Sequence, residues 1–431
     1  MAKRLTYYIL AGLVLGIFTG WAINAALDDG TPAAAARLAD VASYFSIVTT
    51  LFLRLIKMII APLVLSTLIV GIAHMGDTAA LGRVGLKALL WFVSASLVSL
   101  SLGLVLVNAL EPGVGLNLQV PAADAASGIE RSNFNLTQFI THLVPQSIFE
   151  AMATNEILQI VVFSLFVGVA ITAVGEPARP LVRAAEALAK VILQVTDYVM
   201  RLAPFAVFAA VTAAIAERGP QIIGTFGYFM GSFYVGLVIL WVLLVGACFL
   251  VVGARARMLV RYIREPALLA FSTASSEAAF PRTLEALDRF GVPPRIASFV
   301  LPLGYSFNLD GSMMYMTFAT IFIAQAYGVD LTIWQEITML LVLMITSKGI
   351  AGVPRASLVI ITATLSMFNL PEAGVLLVLA VDHFLDMGRS ATNVVGNAVA
   401  SVVVARWEGD LDPIEPPEIE PPHAPSHPPD T

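Results

Sequence analysis

Residues 381–397 decide the fold, and they read VDHFLDMGRSATNVVGN. Five polar side chains in this stretch follow one another at intervals of four, three, four and four residues: Asp382, Asp386, Arg389, Asn393 and Asn397. At about 100° per residue, these intervals place all five on one narrow stripe of a helix. The surrounding segment, about 372–406, is mostly apolar. The stripe therefore predicts a polar site inside an otherwise hydrophobic helix.

The whole chain is unusually apolar. Of its 431 residues, 58% are hydrophobic and 13% are charged, and the mean hydropathy of +0.85 is far above that of a soluble domain. Apolar segments recur along the chain, each long enough to cross about 30 Å of hydrocarbon as a helix. The sequence therefore predicts an all-α integral membrane protein. Its first apolar segment, 7–26, is expected to be a retained membrane helix and not a cleaved signal peptide.

Charge is concentrated at the C-terminal end. Residues 407–431 hold seven of the 30 acidic residues and no Lys or Arg, so the rest of the chain carries 23 acidic against 24 basic residues. This near-neutral body has no basic surface for nucleic acid. The acidic, Pro-rich segment 408–431 is expected to be disordered. Four basic residues flank the first spans and predict a cytoplasmic N-terminus by the positive-inside rule: Lys3, Arg4, Arg83 and Lys87.

Six apolar segments in the first 253 residues predict membrane spans. They cover about 7–26, 45–73, 86–110, 157–174, 181–216 and 222–252. Residues 114–145 are rich in turn formers and predict an extracellular loop. Arg54 and Lys57 lie in the second span, where long side chains could reach a membrane interface. Cys248 is expected to pack in the core or against lipid.

Two later segments are apolar but broken in the middle by small and polar residues. Residues 255–289 contain TASSEAAFP between two apolar arms, and residues 331–370 contain SKGIAGVPRAS between two others. Each is followed by a long helix with polar residues inside it, over 291–329 and 372–406. Two such halves, each a re-entrant hairpin followed by a discontinuous helix, are typical of inverted repeats that meet at a binding site in the middle of the membrane.

Four motifs occur in a characteristic order: TASSEAAFP, NLDGS, KGIAGVP and DMGRSATNVVGN. Together they resemble the glutamate transporter homologues of the dicarboxylate/amino acid:cation symporter family, of the bacterial proton/glutamate-aspartate symporter type. The resemblance is specific over about 261–407. It implies a homotrimer in the cytoplasmic (inner) membrane, with eight membrane helices and two re-entrant hairpins in each subunit, working as an elevator-type transporter. Residues 1–253 would be mainly a trimerisation scaffold, and spans 86–110 and 222–252 would join the transport core, 254–407.

The same resemblance implies the substrate. It assigns Arg389 to a bidentate contact with the substrate side-chain carboxylate and Asp386 to the α-ammonium group. C4-dicarboxylate carriers of the family lack a carboxylate at the position of Asp386, and neutral amino-acid carriers lack the arginine. The implied substrate is therefore L-glutamate or L-aspartate. The other implied substrate-binding residues, which include the two hairpin tips, are Ser390, Asn393, Thr273, Ser275, Ser276, Gly352 and Val353.

The sequence alone does not decide whether the coupling cation is H⁺ or Na⁺. The positions that correspond to sodium ligands of the family are Gly304, Asn308, Asn393, Asn397, Asp310, Ser96 and Ser306. Asn397 stands where sodium-coupled relatives have an aspartate, and Phe92 and Ala95 stand where they have two oxygen ligands. A desolvated carboxyl at the first hairpin tip could instead carry a proton. The sequence therefore favours proton symport, with three candidate proton carriers: Glu277, Asp310 and Asp382.

Other interpretations of the same residues are also compatible with the sequence. Arg389 could pair structurally with the two aspartates on its face, or it could serve a C4-dicarboxylate symporter or an anion channel. Arg355, in the second tip, is expected to point to water, and His383 is expected to be a packing residue. No nucleophile-elbow motif or nucleophile-base spacing supports catalysis. We therefore expect a transporter and not an enzyme, with no cofactor beyond the coupling ion.

Overall fold

A computed structural model describes residues 2–75, 78–114, 141–219, 221–347 and 356–412. Over these ranges the chain is helical and contains no strand, which confirms the predicted all-α class. The described α-helices are α1 Ala2–Leu27, α2 Pro32–Met75, α3 Thr78–Leu110, α4 Ile148–Thr154, α5 Ile157–Val174, α6 Arg179–Met200, α7 Ala203–Arg218, α8 Gln221–Val252, α9 Arg255–Thr273, α10 Phe280–Phe290, α11 Pro294–Phe307, α12 Asp310–Ala326, α13 Ile333–Thr346, α14 Ala356–Met367 and α15 Val375–Glu408.

Five of the described helices, α1, α2, α3, α5 and α8, are long and apolar enough to cross a membrane. The pair α6 and α7 would make a sixth span, bent by 50°. The span predicted over 181–216 therefore consists of two helices with a bend between them. The bend follows from Pro204 in the first turn of α7, because proline has no N–H to donate to the preceding turn and is favoured where a helix begins.

Two groups of helices pack around different centres. In the first group, α1 packs on α7, and α2 packs on α5, α6 and α7. In the second group, α15 is the central helix and contacts α3, α8, α9, α11 and α12. From Met387 to Ala405, every residue of α15 is buried except Arg389. The stripe seen in the sequence therefore lies at the centre of the second group, and the contact of α2 with α11 joins the two groups.

Two helix breaks occur beside α15. The first separates α9 from α10 at residues 274–276, where Ala274 has a positive φ of 48° and ends α9. The second separates α11 from α12 at Asn308 and Leu309, whose ψ angles of 64° and 65° are not helical. Backbone groups at such breaks leave the helical hydrogen-bond pattern and become available to side chains or ligands.

The last helix differs from its prediction. It was expected to be discontinuous, like the helix over 291–329, but α15 is one regular helix of 34 residues. Polar side chains alone do not interrupt a helix, because they do not remove a backbone hydrogen bond as proline does. No proline occurs between the start and end of α15. The two halves of the proposed repeat therefore differ in this helix.

The start of the acidic C-terminal segment also differs from its prediction. Disorder was expected from residue 408, but residues 408–412 are held by ionic and backbone contacts. Glu408 pairs with Lys87 at 2.7 Å, and Asp410 pairs with Arg295 at 2.7 Å. The amide of Asp412 donates to the carbonyl of Gly291 at 2.9 Å. Composition alone could not predict this order, because the basic partners come from distant parts of the chain. The prediction for residues 413–431 lies outside the described residues.

Candidate substrate and ion site

Arg389 lies in the middle of α15 with 15% of its side chain exposed. Its Nε and Nη2 atoms donate hydrogen bonds of 2.9 and 2.6 Å to Oδ1 of Asp386, one turn earlier. Its Nη1 atom donates to Oγ of Ser357 in α14. A guanidinium has only donors. Since Asp386 occupies the Nε–Nη2 edge, the Nη1–Nη2 edge is the one that a further carboxylate could bind.

Asp386 uses one oxygen for all of these contacts. Besides the two bonds from Arg389, its Oδ1 accepts a hydrogen bond of 2.9 Å from Oγ of Ser390. The other oxygen, Oδ2, is not used by these donors, and 22% of the side chain is exposed. A carboxylate oxygen beside a guanidinium edge gives the site an acceptor for a cationic group and a donor pair for an anionic group.

Asp382 has a partner that its spacing did not suggest, in addition to its charge interaction with Arg389. It lies on the same face as Arg389, but its Oδ1 accepts a hydrogen bond of 2.5 Å from the hydroxyl of Tyr315 in α12. The guanidinium carbon of Arg389 lies 5.4 Å from the centre of the Tyr315 ring. Tyr315 thus supports the guanidinium through its ring and engages Asp382 through its hydroxyl.

Asn393 holds the beginning of α12. Its Oδ1 accepts hydrogen bonds from the amides of Gly311 at 2.9 Å and Ser312 at 3.3 Å. Its Nδ2 donates to Oγ of Ser312 at 3.1 Å. The first amides of a helix have no partner within the helix, so Asn393 satisfies two of them from α15. This contact fixes the second half of the broken helix against the arginine-bearing helix.

A second polar cluster lies beside the break between α11 and α12. Asp310 is fully buried and accepts hydrogen bonds from Asn308 at 3.1 Å and from Ser99 of α3 at 3.3 Å. Asn308 also donates to Oδ1 of Asn397 at 3.3 Å. The two donors to Asp310 named here are a neutral amide and a hydroxyl. A carboxyl buried in such surroundings is suited to binding a proton or a cation.

Glycines allow this cluster to be compact. A Cβ atom added at Gly304 would overlap Oδ1 of Asn397, and one added at Gly396 would overlap Oδ2 of Asp310. The predicted sodium-ligand positions Gly304, Asn308, Asp310 and Asn397 are therefore brought together in space. Asn397 supplies no charge in either orientation of its amide, so Asp310 is the only carboxylate of this set.

The close approach at Gly396 gives a first testable prediction. Replacing Gly396 by alanine is expected to lower the free energy of unfolding by about 1–3 kcal/mol, because the added methyl group would overlap Oδ2 of Asp310, which is buried and hydrogen-bonded to Asn308. The decrease is measured as a lower midpoint of thermal unfolding in detergent. Gly246→Ala in α8 is the matched control, because in the described part of the chain no atom beyond its own helix backbone and chain neighbours lies within 4 Å of its added Cβ. An equal effect of both substitutions would contradict this packing.

The turn at residues 274–276, which was predicted to be the tip of the first hairpin, makes its own contacts. Oγ1 of Thr273 donates to the carbonyl of Leu269 at 2.7 Å, and Oγ of Ser275 accepts from the amide of Ala278 at 3.3 Å. The carbonyl of Ser276 accepts from the hydroxyl of Tyr305 at 2.9 Å. In the described part of the chain, no hydrogen bond or ion pair joins these three tip residues to Arg389 or Asp386.

Glu277 follows this tip and faces the first group of helices. Its side chain is half-buried, and the turn that contains it packs against α2. Its carboxyl interacts electrostatically with Lys57 of α2 and with Tyr305 of α11. The carboxyl therefore lies at the contact between the two helix groups and not in open solvent.

The remaining predicted positions fall into two sets. Ser96 and Ser306 are buried in α3 and α11. Gly352 and Val353 of the second tip, together with Arg355, lie outside the described residues. His383 is half-buried beside Phe384, at 6.0 Å between ring centres.

Three contacts of the site were missed by the sequence reasoning: those of Ser357, Tyr315 and Ser99. Oγ of Ser99 also lies 2.8 Å from the carbonyl of Ala95, so its single hydrogen is donated either to that carbonyl or to Asp310. Tyr315 carried a usable signal, because a tyrosine hydroxyl inside a buried helix needs a partner. For Ser357 the sequence contains no such signal, since only the packing of α14 on α15 creates its contact.

A strongly apolar helical chain with paired charges at its centre, beside two broken helices, is typical of a secondary transporter. The chain belongs to the sodium:dicarboxylate symporter family, whose family model matches residues 5–407. The resemblance to this family is thereby confirmed, and so is the prediction of a membrane transporter that is not an enzyme.

The chain is similar both to proteins named as glutamate or glutamate-aspartate symporters and to proteins named as C4-dicarboxylate transport proteins. It is 36% identical to the proton/sodium-glutamate symport protein of Bacillus caldotenax, over 95% of both chains. It is 38% identical to the proton/glutamate-aspartate symporter of Escherichia coli strain K12, over 95% of this chain and 94% of the relative. It is 39% identical to the C4-dicarboxylate transport protein of Laribacter hongkongensis, over 84% of this chain and 83% of the relative. Overall identity therefore does not select the substrate.

Proposed function

We propose that the protein is a symporter of L-glutamate and L-aspartate that is driven by a proton gradient. The observation that carries the proposal is the pair formed by Asp386 and Arg389, which offers a carboxylate and a guanidinium edge at one place in a buried helix. An acidic amino acid has an ammonium group and a distal carboxylate, so it complements both. The relatives named for glutamate and aspartate transport support this substrate class.

The pair is better suited to a substrate than to a purely structural role. Both side chains remain partly exposed, Asp386 just before the segment 387–405 and Arg389 as the one residue of that segment that is not buried. One oxygen of Asp386 takes all three hydrogen bonds, so the second oxygen can accept an ammonium group. The edge of Arg389 that faces Ser357 can bind a carboxylate as a planar fork. A dicarboxylate without an ammonium group would leave Asp386 unmatched, which disfavours a C4-dicarboxylate as the main substrate.

The substrate class is tested by competition. Labelled L-glutamate uptake into proteoliposomes that contain the full chain is measured against unlabelled L-aspartate, succinate and L-alanine. We expect L-aspartate to compete at the lowest concentration, because it alone among these competitors matches both charges. Competition by succinate that equals or exceeds that by L-aspartate would favour a C4-dicarboxylate symporter and refute the proposal.

Proton coupling is supported by the carboxyl groups and by the missing charge at Asn397. The cluster around Asp310 offers one carboxylate, whereas a bound sodium ion is best balanced by several oxygen ligands with negative charge. Glu277 and Asp382 are the other candidate proton carriers. Among the three, Glu277 lies at the contact between the helix groups, where relative movement of the groups would change its surroundings.

Glu277→Gln gives the test of this assignment. Glutamine keeps the shape of the side chain but carries no exchangeable carboxyl proton. The rate of uptake with an inward proton gradient is therefore expected to equal the rate without a gradient. Exchange of internal for external substrate should continue, because it needs no net proton movement. Glu150→Gln in α4, at an exposed position, is the control. If proton-driven uptake persists in Glu277→Gln, the carrier is to be sought in Asp310 or Asp382 by the corresponding asparagine variants.

The proposed architecture follows the family resemblance. We infer eight membrane helices and two re-entrant hairpins, a homotrimer in the cytoplasmic (inner) membrane, and a cytoplasmic N-terminus. The packing groups support a division in which α1, α2, α6 and α7 belong to the scaffold while α3, α8 and α9–α15 form the transport core. Elevator movement of the core would then change the contacts of α2 with α11 and with the turn that contains Glu277.

A further inference from the structure

Ser357 is the one described residue of the second hairpin that contacts Arg389 by a hydrogen bond. It is the second residue of α14 and is buried, with 5% of its surface exposed. Its Oγ accepts a hydrogen bond from Nη1 of Arg389. The contact therefore joins α14, which follows the second hairpin tip, to the centre of α15.

The chemistry of this contact fixes the direction of the serine hydroxyl. A guanidinium nitrogen can only donate, so Oγ of Ser357 must be the acceptor. The hydrogen of the same hydroxyl cannot point at Arg389 and has to be directed at another acceptor. A carboxylate bound on the Nη1–Nη2 edge of Arg389 would place an oxygen next to Nη1 and hence beside Ser357. The hydroxyl would then donate to that oxygen.

The other sides of the guanidinium are already in use. Asp386 takes the Nε–Nη2 edge, and the ring of Tyr315 lies at 5.4 Å from the guanidinium carbon. Among the residues that the structure describes, these contacts leave a carboxylate one open approach to the guanidinium, and Ser357 lies beside it. The guanidinium is held by residues of α12 and α15, whereas Ser357 comes from a different element, α14.

We infer that Ser357 is a specificity-determining residue that binds the distal carboxylate of the substrate together with Arg389. The inference rests on the proposed transport of acidic amino acids and adds a second, separately placed contact for the same carboxylate. A short, buried side chain cannot follow a carboxylate that moves by the length of one methylene group. Ser357 should therefore affect L-aspartate and L-glutamate unequally.

The test is the ratio of two dissociation constants. For Ser357→Ala in the purified full chain, we expect binding of the preferred substrate to weaken by roughly tenfold or more, as for loss of a hydrogen bond to a charged group. Binding of the other substrate should weaken less, so that the L-aspartate to L-glutamate ratio changes. Isothermal titration calorimetry at one fixed pH and sodium concentration measures both constants.

Matched variants separate this role from simple packing. Ser357→Thr keeps the hydroxyl and should restore the ratio, whereas nearly isosteric Ser357→Cys should behave like Ser357→Ala. Ser366→Ala, at an exposed position of the same helix, should change neither constant. Equal weakening of both substrates in Ser357→Ala would mean that the serine only positions Arg389, and unchanged binding would mean that it has no role; either result overturns the inference.

The inference and the proposed function fail in different ways. If the unsubstituted protein binds neither L-aspartate nor L-glutamate, the proposed function is refuted and the inference with it. If the unsubstituted protein binds them and the ratio is the same in Ser357→Ala, only the role of Ser357 is refuted.

Discussion

Arg389→Ala is expected to abolish transport of acidic amino acids. The substitution removes the only guanidinium that pairs with Asp386 in the described structure and leaves the distal carboxylate of the substrate without its partner. Removing one member of a buried, hydrogen-bonded charge pair costs about 2–5 kcal/mol, which corresponds to roughly 30-fold to several-thousand-fold weaker binding. The dissociation constant for L-aspartate, measured by calorimetry, checks the expectation.

Two further variants make this result specific. Arg389→Lys keeps the charge but not the planar pair of donors, so it should recover only a small part of the lost affinity. Arg179→Ala is a matched control, because Arg179 also pairs with an acidic residue three positions earlier, Glu176, but at an exposed site. Wild-type affinity in Arg389→Ala would show that the arginine has a structural role only.

Asp386→Ser is expected to separate amino acids from dicarboxylates. Loss of the carboxylate removes the acceptor for the α-ammonium group, so L-aspartate should bind at least about 100-fold more weakly, as for other buried charge partners. Succinate has no ammonium group and should bind at least as well as before, because Nε and Nη2 of Arg389 are released from Asp386. Competition by the two compounds, with the unfolding midpoint as a check of folding, measures the change.

The matched control is Glu176→Ser, which removes the acid of the exposed pair and should alter neither substrate. A parallel loss of L-aspartate and succinate binding in Asp386→Ser would contradict the assignment of Asp386 to the ammonium group. It would indicate instead that Asp386 serves to orient Arg389.

The part of the site that could be predicted from the sequence is the part that lies within one helix. Helical periodicity fixes which residues three and four positions apart share a face, so Asp386 and Arg389 were placed together correctly, whereas Ser390 was implied by the family resemblance. The same periodicity placed Asp382 on this face, but it could not supply Tyr315, which comes from α12. Partners from other elements depend on how the helices pack, and a single sequence does not contain that geometry.

The breaks in the helices were predictable to different degrees. The polar NLDGS motif did mark a real interruption at Asn308 and Leu309. The similar polar density of α15 did not produce a break, because its polar groups are accommodated by side-chain contacts without loss of backbone hydrogen bonds. The bend before Pro204 was overlooked, since the hydropathy of 181–216 is continuous even though its helix is not. Hydropathy reports how long an apolar segment is, and not whether its backbone stays regular.

The most direct test of proton-driven transport of acidic amino acids is uptake under imposed gradients. Labelled L-glutamate uptake is measured in proteoliposomes with an inward proton gradient alone, an inward sodium gradient alone, both gradients, or neither. We predict accumulation with the proton gradient in the absence of sodium, and loss of that accumulation when a protonophore collapses the gradient. Accumulation driven by sodium alone and insensitive to a pH gradient would contradict the proposed coupling.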